Sequence, residues 1–544
     1  MFSKKKKSLI GNVSRRILLG LSLWVSSSEV ALSQSLESKW AIFQEEARAI
    51  AQPLQVPGGV MGLMVGDSLV ALSAWGWANI ARQIPMRSDH LFPIASISKT
   101  FAAVRALQLV AEGKLSLQTP ARQYLPSYGL PETVRIHHLF QQTSEGIPGH
   151  FFAYGSRFGW LTEVIEKAGK QKYTDQMQAH LLSPLQMQQT IPGVGAVGYA
   201  HLAARIASPY FFNPVGLARP GYLPPPGLKS STGLVATVED LARYTRGLLQ
   251  HLLLPDSLQK KMWQPALTLS GDTLMYGLGW FVGKVADAPV YWHYGQEDCY
   301  SSVLMHLPQQ KLTLLMLANS ASLSDHGRML DGNFRRSLFL WSFLRHFVIP
   351  AGPVSWPEVS APAQAWDTFL PLCPDSLRWV AREEMMARLM WHFYTEASPK
   401  SNSLAYAYGL VKHFSPDLDS QADPALAWVW LRLLDSPAPA LLPSAEKIVF
   451  NTLAAQPQDP YRQYLKGWFY QIVGEKNQAS PYFQAVADLP NFDLRWYKVL
   501  ATYQAGENLL ATQPDLARRY LQRVIAWGWN LDGVCQKAIQ ALKQ

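Results

Sequence analysis

Apolar and small residues alternate from 58 to 78 around a break at Gly66-Asp67. That pattern predicts a β-hairpin with a tight turn. From 100 to 112 the period lengthens: Ile97, Phe101, Val104 and Leu107 share one stripe and Gly113 follows. A buried helix ended by glycine is expected there. A second helix is expected over 157–168, closed by Gly169, and a third from Val238-Glu239-Asp240 to about His251. The stretch 184–226 is rich in proline and reads as loop. Strand patterns return at 277–285, 290–294, 301–306 and 312–318. Two strands, several helices and a closing group of strands predict an α/β (α+β) layered domain. Its first and last strands would pair in one antiparallel sheet flanked by helices.

Beyond residue 348 the character changes. The segment 349–363 carries Pro350, Pro353, Pro357 and Pro362 and reads as a linker, and 364–544 is helical throughout. There Gly467, Tyr470, Ala479 and Phe483 fall at tetratricopeptide-type offsets, with Ala517 and Leu521 repeating the last two. A repeat pair and a generic helical bundle both satisfy that pattern, so the region is an all-α domain. It is a candidate surface for a protein partner.

With 544 residues, more than one domain is expected. The net charge of +10 is concentrated at the start, where the first 33 residues hold six Lys/Arg and one Glu. Basic Lys4 to Lys7, an apolar core over 17–25 and the small residues Ala31 and Ser33 read as an export signal over 1–33. Arg15-Arg16 also fits a twin-arginine leader, so a general secretory route and a twin-arginine route both stay open. The expected location is periplasmic or secreted, with no membrane span after the leader is removed. No basic stripe appears elsewhere, which argues against a nucleic-acid partner. Three dispersed cysteines, Cys299, Cys373 and Cys535, offer neither a disulfide framework nor metal spacing, and no cofactor is expected. Gly193 to Gly198 spells a dinucleotide-type glycine pattern, but no strand pattern precedes it and no acid follows at the ribose distance.

The chemistry concentrates at Ser96-Ile97-Ser98-Lys99, where an apolar approach gives way to a helix. Residues three apart share a helix face, so an amine can reach a hydroxyl. Serine is a weak nucleophile until a neighbouring base activates it. The same spacing occurs at Ser3/Lys6, Ser257/Lys260 and Ser444/Lys447, where a basic leader and two helix N-caps explain it.

Around that pair the sequence resembles the serine β-lactamase/penicillin-binding-protein superfamily, closest to its class C β-lactamase-like branch. The resemblance rests on Phe92 to Phe101, Leu107 to Leu115, Phe152-Ala153-Tyr154-Gly155-Ser156 at the Tyr-x-Asn position, Gly233 to Leu241, Tyr276 to Trp280 and His293-Tyr294-Gly295. It covers roughly residues 40–345. It implies a serine hydrolase domain over 34–348, with Ser96 as acylated nucleophile, Lys99 as base and Tyr154 as proton relay. By the same resemblance the Ser96 and Gln296 N–H groups form the oxyanion hole. Gly295 lets the strand approach substrate, and Ser156 and His293 line the substrate site.

Three departures from the family pattern bear on substrate, one being a short segment between Ser144 and Tyr154 that implies a different site rim. Ser156 replaces the family asparagine and is too short to make the same hydrogen bonds. His293 stands where many relatives carry lysine, and a neutral imidazole binds a carboxylate poorly. An exported hydrolase of amides or esters is therefore expected: β-lactamase-related, D-Ala peptidase-like or an esterase, acting on a small-molecule or peptide substrate of cell-wall origin or otherwise. The alternative is a weak or inactive binding protein whose helical domain recruits a partner.

Overall fold

The computed structural model describes residues 36–211, 218–327, 329–349, 356–358, 361, 365, 368–395, 422–434 and 441–543. The expected leader, 1–33, and most of the expected linker lie outside these residues.

The hairpin forms as anticipated. Strands β1 (Gly58–Val65) and β2 (Ser68–Asn79) pair from Val65/Ser68 outward, and Gly66 at φ +59° makes the turn. With β3 (Ile84–Pro85), β4 (Phe281–Val285), β5 (Ala288–Glu297), β6 (Tyr300–Leu307) and β7 (Leu312–Ala318) they build one seven-stranded sheet in the order β3-β2-β1-β7-β6-β5-β4. The chain's first long strand thus pairs antiparallel with its last, Gly59 opposite Ala318 through Val65 opposite Leu312. The central strands β1, β6 and β7 are buried throughout, apart from Val65, because both sheet faces are covered. The edge strand β4 starts four residues later than its pattern suggested. Gly277 and Trp280 close a turn first, with Gly279 at φ +75°.

On one face Val60, Met64, Leu304 and Leu315 pack against helix α2 (Ser98–Ala111) and helix α3 (Val238–Leu249). The approach is close: a methyl on Gly62 would sit 2.6 Å from Val238. On the opposite face Met61, Leu63, Met305 and Met316 meet helix α1 (residues 36–51) and helix α4 (Leu338–Phe347) through Phe43, Phe343 and Trp341. The same apolar cluster runs on into the helical region. There it takes in helices α5 (Arg378–Thr395), α6 (Pro424–Leu434), α7 (Leu442–Ala455), α8 (Pro460–Ile472), α9 (Lys476–Ala487) and α10 (Trp496–Leu509). Helices α11 (Pro514–Trp527) and α12 (Val534–Ala541) complete it. The fold is therefore a β-lactamase-like α/β layer with an antiparallel sheet, joined to a helical C-terminal region.

Several local expectations shift. Residues 156–160 form a 3-10 turn before a helix over Leu161–Gly169. Gly169 does not terminate that helix by a left-handed turn; Lys170 does, at φ 53°. Glycine at 169 instead makes room for the Gln176 amide, which a Cβ would overlap. Ser257 and Ser444 lie inside the first turns of their helices rather than at the caps. In the helical region Gly467 sits against Phe483 and Gly506 against Leu521, each 2.8 Å from where a Cβ would stand. The glycine, alanine and aromatic offsets thus mark close crossings of α8 on α9 and α10 on α11.

The described part of the expected linker is strapped down. Arg388 of α5 donates to the carbonyls of Pro357 and Glu358 at 2.9 and 2.7 Å. Arg336, 1% exposed, ties the sheet domain to α5 and to the start of α6 through Glu383 (2.8 Å) and Asp423 (2.6 Å). Cys299, Cys373 and Cys535 are free thiols. Among the described residues no helix is long and apolar enough to cross a membrane, and no cluster of three or more metal-type ligands gathers.

Candidate active site

The Ser96 turn is built by the residues before it. Phe92–Pro93 pairs with Leu234–Ala236, and Ile94 N–H donates to the Leu234 carbonyl at 2.9 Å. Ala95 then takes a left-handed φ of 46°, which costs an alanine about 1 kcal/mol. That kink swings the chain into a 3-10 turn (Ala95–Ile97) running directly into α2, and leaves Ser96 part-exposed. The turn is pressed against β5 and β6. Ser302 donates to the Ile94 carbonyl at 2.8 Å, and any Cβ on Gly295 would overlap both Ile94 O and Ser302 Oγ. Glycine at 295 is thus required by the approach of two backbones.

Lys99 points back along α2 and its Nζ donates to Ser96 Oγ at 2.7 Å and to the Ser231 carbonyl at 3.3 Å. It is 3% exposed. Burial pulls its pKa from 10.5 down to about 7, against a small upward pull from Glu297. Its ammonium lies 4.8 Å from the centre of the Tyr154 ring and 5.6 Å from that of Phe158, so aromatic faces and one carbonyl replace water around it. A lysine in such a setting is half neutral near pH 7 and available as a base.

The Tyr154 ring is fixed by stacking on Phe281 (5.6 Å between centroids) and Tyr294 (5.7 Å). Its hydroxyl is buried and completes no hydrogen bond. Burial holds its pKa well above the ordinary phenol value, with the Ser96 and Tyr294 hydroxyls pulling the other way. Ser96, Lys99 and Tyr154 therefore share one crevice.

The remaining expected residues divide. His293 is fully buried beside Tyr154, 6.2 Å between ring centroids. Its Nδ1 faces the Tyr294 carbonyl at 2.6 Å and its Nε2 faces the Tyr276 hydroxyl at 2.9 Å. A carbonyl only accepts, so Nδ1 carries the proton and Nε2 accepts from Tyr276. Burial, helped by Lys99, lowers its pKa to about 3, so the ring is neutral. The Gln296 side chain turns away to Asp325 and Ser324, at 3.3 Å each, leaving its backbone beside Gly295.

Ser156 is exposed, and its hydroxyl donates to Asp493 at 2.8 Å. That partner belongs to the loop between α9 and α10. This departs from the substrate-side placement its position suggested, because Asp493 also engages Arg157 at 2.8 Å and draws the segment toward the helical region.

Five further residues reach the site. The Ser231 carbonyl holds Lys99, and Thr232 donates to Glu297 at 2.6 Å, placing a half-buried carboxylate next to Gln296. Burial raises the Glu297 pKa, opposed by Thr232 and Lys99. Tyr276 donates to His293 Nε2 in the tautomer set by the Tyr294 carbonyl. Arg495, at the start of α10, donates to the Tyr154 carbonyl and to the buried Glu145 carboxylate. Nearness in the chain to Gln296 and to Gly233 was a usable signal for Glu297 and Ser231. Arg495 lies 341 residues from Tyr154 in the chain and had none.

The family profile described as Beta-lactamase matches residues 47–333. Penicillin-binding protein 4* of Bacillus subtilis is 24% identical over 314 residues, covering 49% of this chain and 68% of that protein. The D-aminopeptidase of Gluconobacter oxydans is 22% identical over 325 residues, covering 51% of this chain and 59% of that protein. The penicillin-binding protein homologue from Pyrococcus abyssi superposes on 52% of this chain and 74% of its own, at 20% identity and a TM-score of 0.48. With a profile spanning more than half of the chain and covering the Ser96 turn, Tyr154 and the Gly295 strand, this protein belongs to the Beta-lactamase family.

Proposed function

We propose that this chain is an exported serine hydrolase that forms an acyl-enzyme at Ser96 on amide or ester substrates. One observation carries the reading: a lysine amine buried 2.7 Å from a part-exposed serine hydroxyl, with its proton affinity lowered to near neutrality. Neutral Lys99 accepts the Ser96 proton as Oγ adds to the substrate carbonyl carbon. The Ser96 and Gln296 N–H groups take the developing oxyanion. The Tyr154 hydroxyl passes the proton to the leaving group as the carbonyl–leaving-group bond breaks. Water then releases the acyl group from Ser96.

His293 bears on substrate class. Held neutral, it supplies no cation for a substrate carboxylate. That favours esters and amides without an obligatory carboxylate beside the scissile bond over carboxylate-anchored substrates. The helical region (364–544) is read as a distinct domain and 1–33 as the export leader of the whole chain.

The test is intact-mass detection of a covalent adduct after exposure to a fluorophosphonate, a penicillin, activated esters and D-amino-acid peptides. An adduct on the full chain that disappears in Ser96→Ala is the expected result. Unchanged labelling in that variant, or none with any probe, refutes the reading.

A further inference from the structure

Tyr154 sits on an extended, irregular stretch that no regular element carries; residues 152–154 belong neither to helix nor to strand. Such a stretch needs outside support if its phenol is to hold position. One side is pinned from within: Gln142 takes the Ala153 N–H on its backbone carbonyl at 2.8 Å and the Gly155 N–H on its side chain at 2.7 Å. The other side is held from the helical region. The Arg495 guanidinium donates to the Tyr154 carbonyl and, at 3.5 Å, lies against that of Ala153, while its other arm is anchored on Glu145.

The guanidinium has a prepared seat. Glu145 is 2% exposed and also accepts the Asp493 N–H at 3.0 Å. Position 155 is glycine, and any Cβ there would overlap an Arg495 nitrogen. The loop carrying Arg495 is itself fastened beside Tyr154. Asn491 exchanges backbone and side-chain hydrogen bonds with Ser144 and Gly146, and Asp493 holds Ser156 and Arg157. The residue that stands at the family's asparagine position is thus turned from substrate to the helical region.

We infer that Arg495 is a positioning residue for Tyr154, so that docking of the 488–495 loop by the helical region completes the proton relay of the hydrolase site. This rests on the acyl-enzyme reading above. In that reading Tyr154 delivers the serine proton to the departing group. A poor leaving group, an alkoxide or an amine, needs that proton; 4-nitrophenolate leaves without it. Loosening Tyr154 must therefore penalise the two substrate kinds unequally, whereas general loss of structure penalises both alike.

The experiment uses the full chain with Arg495→Ala, Arg495→Lys, Tyr154→Phe and the Tyr154→Phe/Arg495→Ala double variant. Each is assayed on an alkyl ester or amide and on the 4-nitrophenyl ester of the same acyl group. Arg495→Ala is expected to lose about 100-fold in kcat on the poor leaving group, the size of effect a 1 Å misplacement brings. Its loss on the nitrophenyl ester is expected to stay below about 5-fold, with KM changed by less than about 3-fold on both. Arg495→Lys, which keeps the charge on Glu145, should recover part of the loss. In the Tyr154→Phe background Arg495→Ala should add less than about 3-fold, because the two changes act through one group.

Equal losses on both leaving groups, or fully multiplicative effects in the double variant, overturn the inference. If Arg495→Ala does not fold, the Arg495→Lys pattern and its cycle with Tyr154→Phe decide by the same criteria. Wild-type chain inert on every ester and amide would instead overturn the acyl-enzyme reading; active wild type with unselective Arg495 variants overturns this inference alone.

Discussion

Replacing Lys99 by methionine should stabilise the fold near neutral pH while abolishing acylation. Burial takes the Lys99 pKa from 10.5 to about 7. Each unit is worth about 1.4 kcal/mol, so at pH 7 and below the buried amine costs the fold about 5 kcal/mol. Between pH 7 and 10.5 the unfolded chain binds this proton and the folded protein does not. Wild-type stability therefore rises with pH across that window, and the cost shrinks to about 2 kcal/mol by pH 9.

Methionine fills a similar unbranched volume without a charge to desolvate. It forfeits the hydrogen bonds to Ser96 and Ser231, about 1 kcal/mol each. The expected net gain is about 3 kcal/mol at pH 7 and near zero at pH 9. In thermal melts that is a Tm higher by several degrees at pH 7, at a few degrees per kcal/mol, with the difference vanishing by pH 9. The fluorophosphonate adduct at Ser96 should be lost at both pH values. A Tm shift equal at the two pH values, or a destabilised variant at pH 7, would refute the claim that Lys99 is held neutral by desolvation.

The rate of acylation should rise with pH through about 7, the range in which Lys99 loses its proton. Glu297→Gln removes the carboxylate that favours charged Lys99, so that rising limb should move to lower pH in a pH–rate profile; an unmoved limb would separate Glu297 from the base. Arg336→Ala leaves the buried Asp423 carboxylate without its arginine and Glu383 with the Arg335 contact at 3.8 Å, with an expected loss of about 3–5 kcal/mol, read as a lowered denaturation midpoint. A loss below about 1 kcal/mol would show that Asn333 and the backbone N–H groups around Asp423 suffice without the arginine.

The elements legible in the sequence were those whose causes are local. The hairpin depends on two residues and an alternation, and α2 on a stripe closed by Gly113. Ser96 and Lys99 were legible as a pair because three residues along a helix bring their side chains together in any fold that keeps the helix. Gly295 stood out as a glycine in a strand, although what it avoids, the Ile94 carbonyl and Ser302, emerges only from the sheet. Gly169 misled for the same reason: helix-end glycines usually serve the turn, and here the constraint is the Gln176 amide from a later helix.

Everything that sets the chemistry of those residues came from contacts distant in the chain. The lowered proton affinity of Lys99 requires Tyr154, Phe158 and Ser231 to exclude water, and desolvation is a property of the packed site rather than of a motif. The neutrality of His293 follows from its burial in the packed site, helped by Lys99. Ser156 carries no local sign that its hydroxyl belongs to Asp493, 337 residues away. The sequence determined which residue types meet and on which elements. Tertiary structure decided their charge states and their supports, because burial and long-range hydrogen bonds are fixed only when distant segments close on one another.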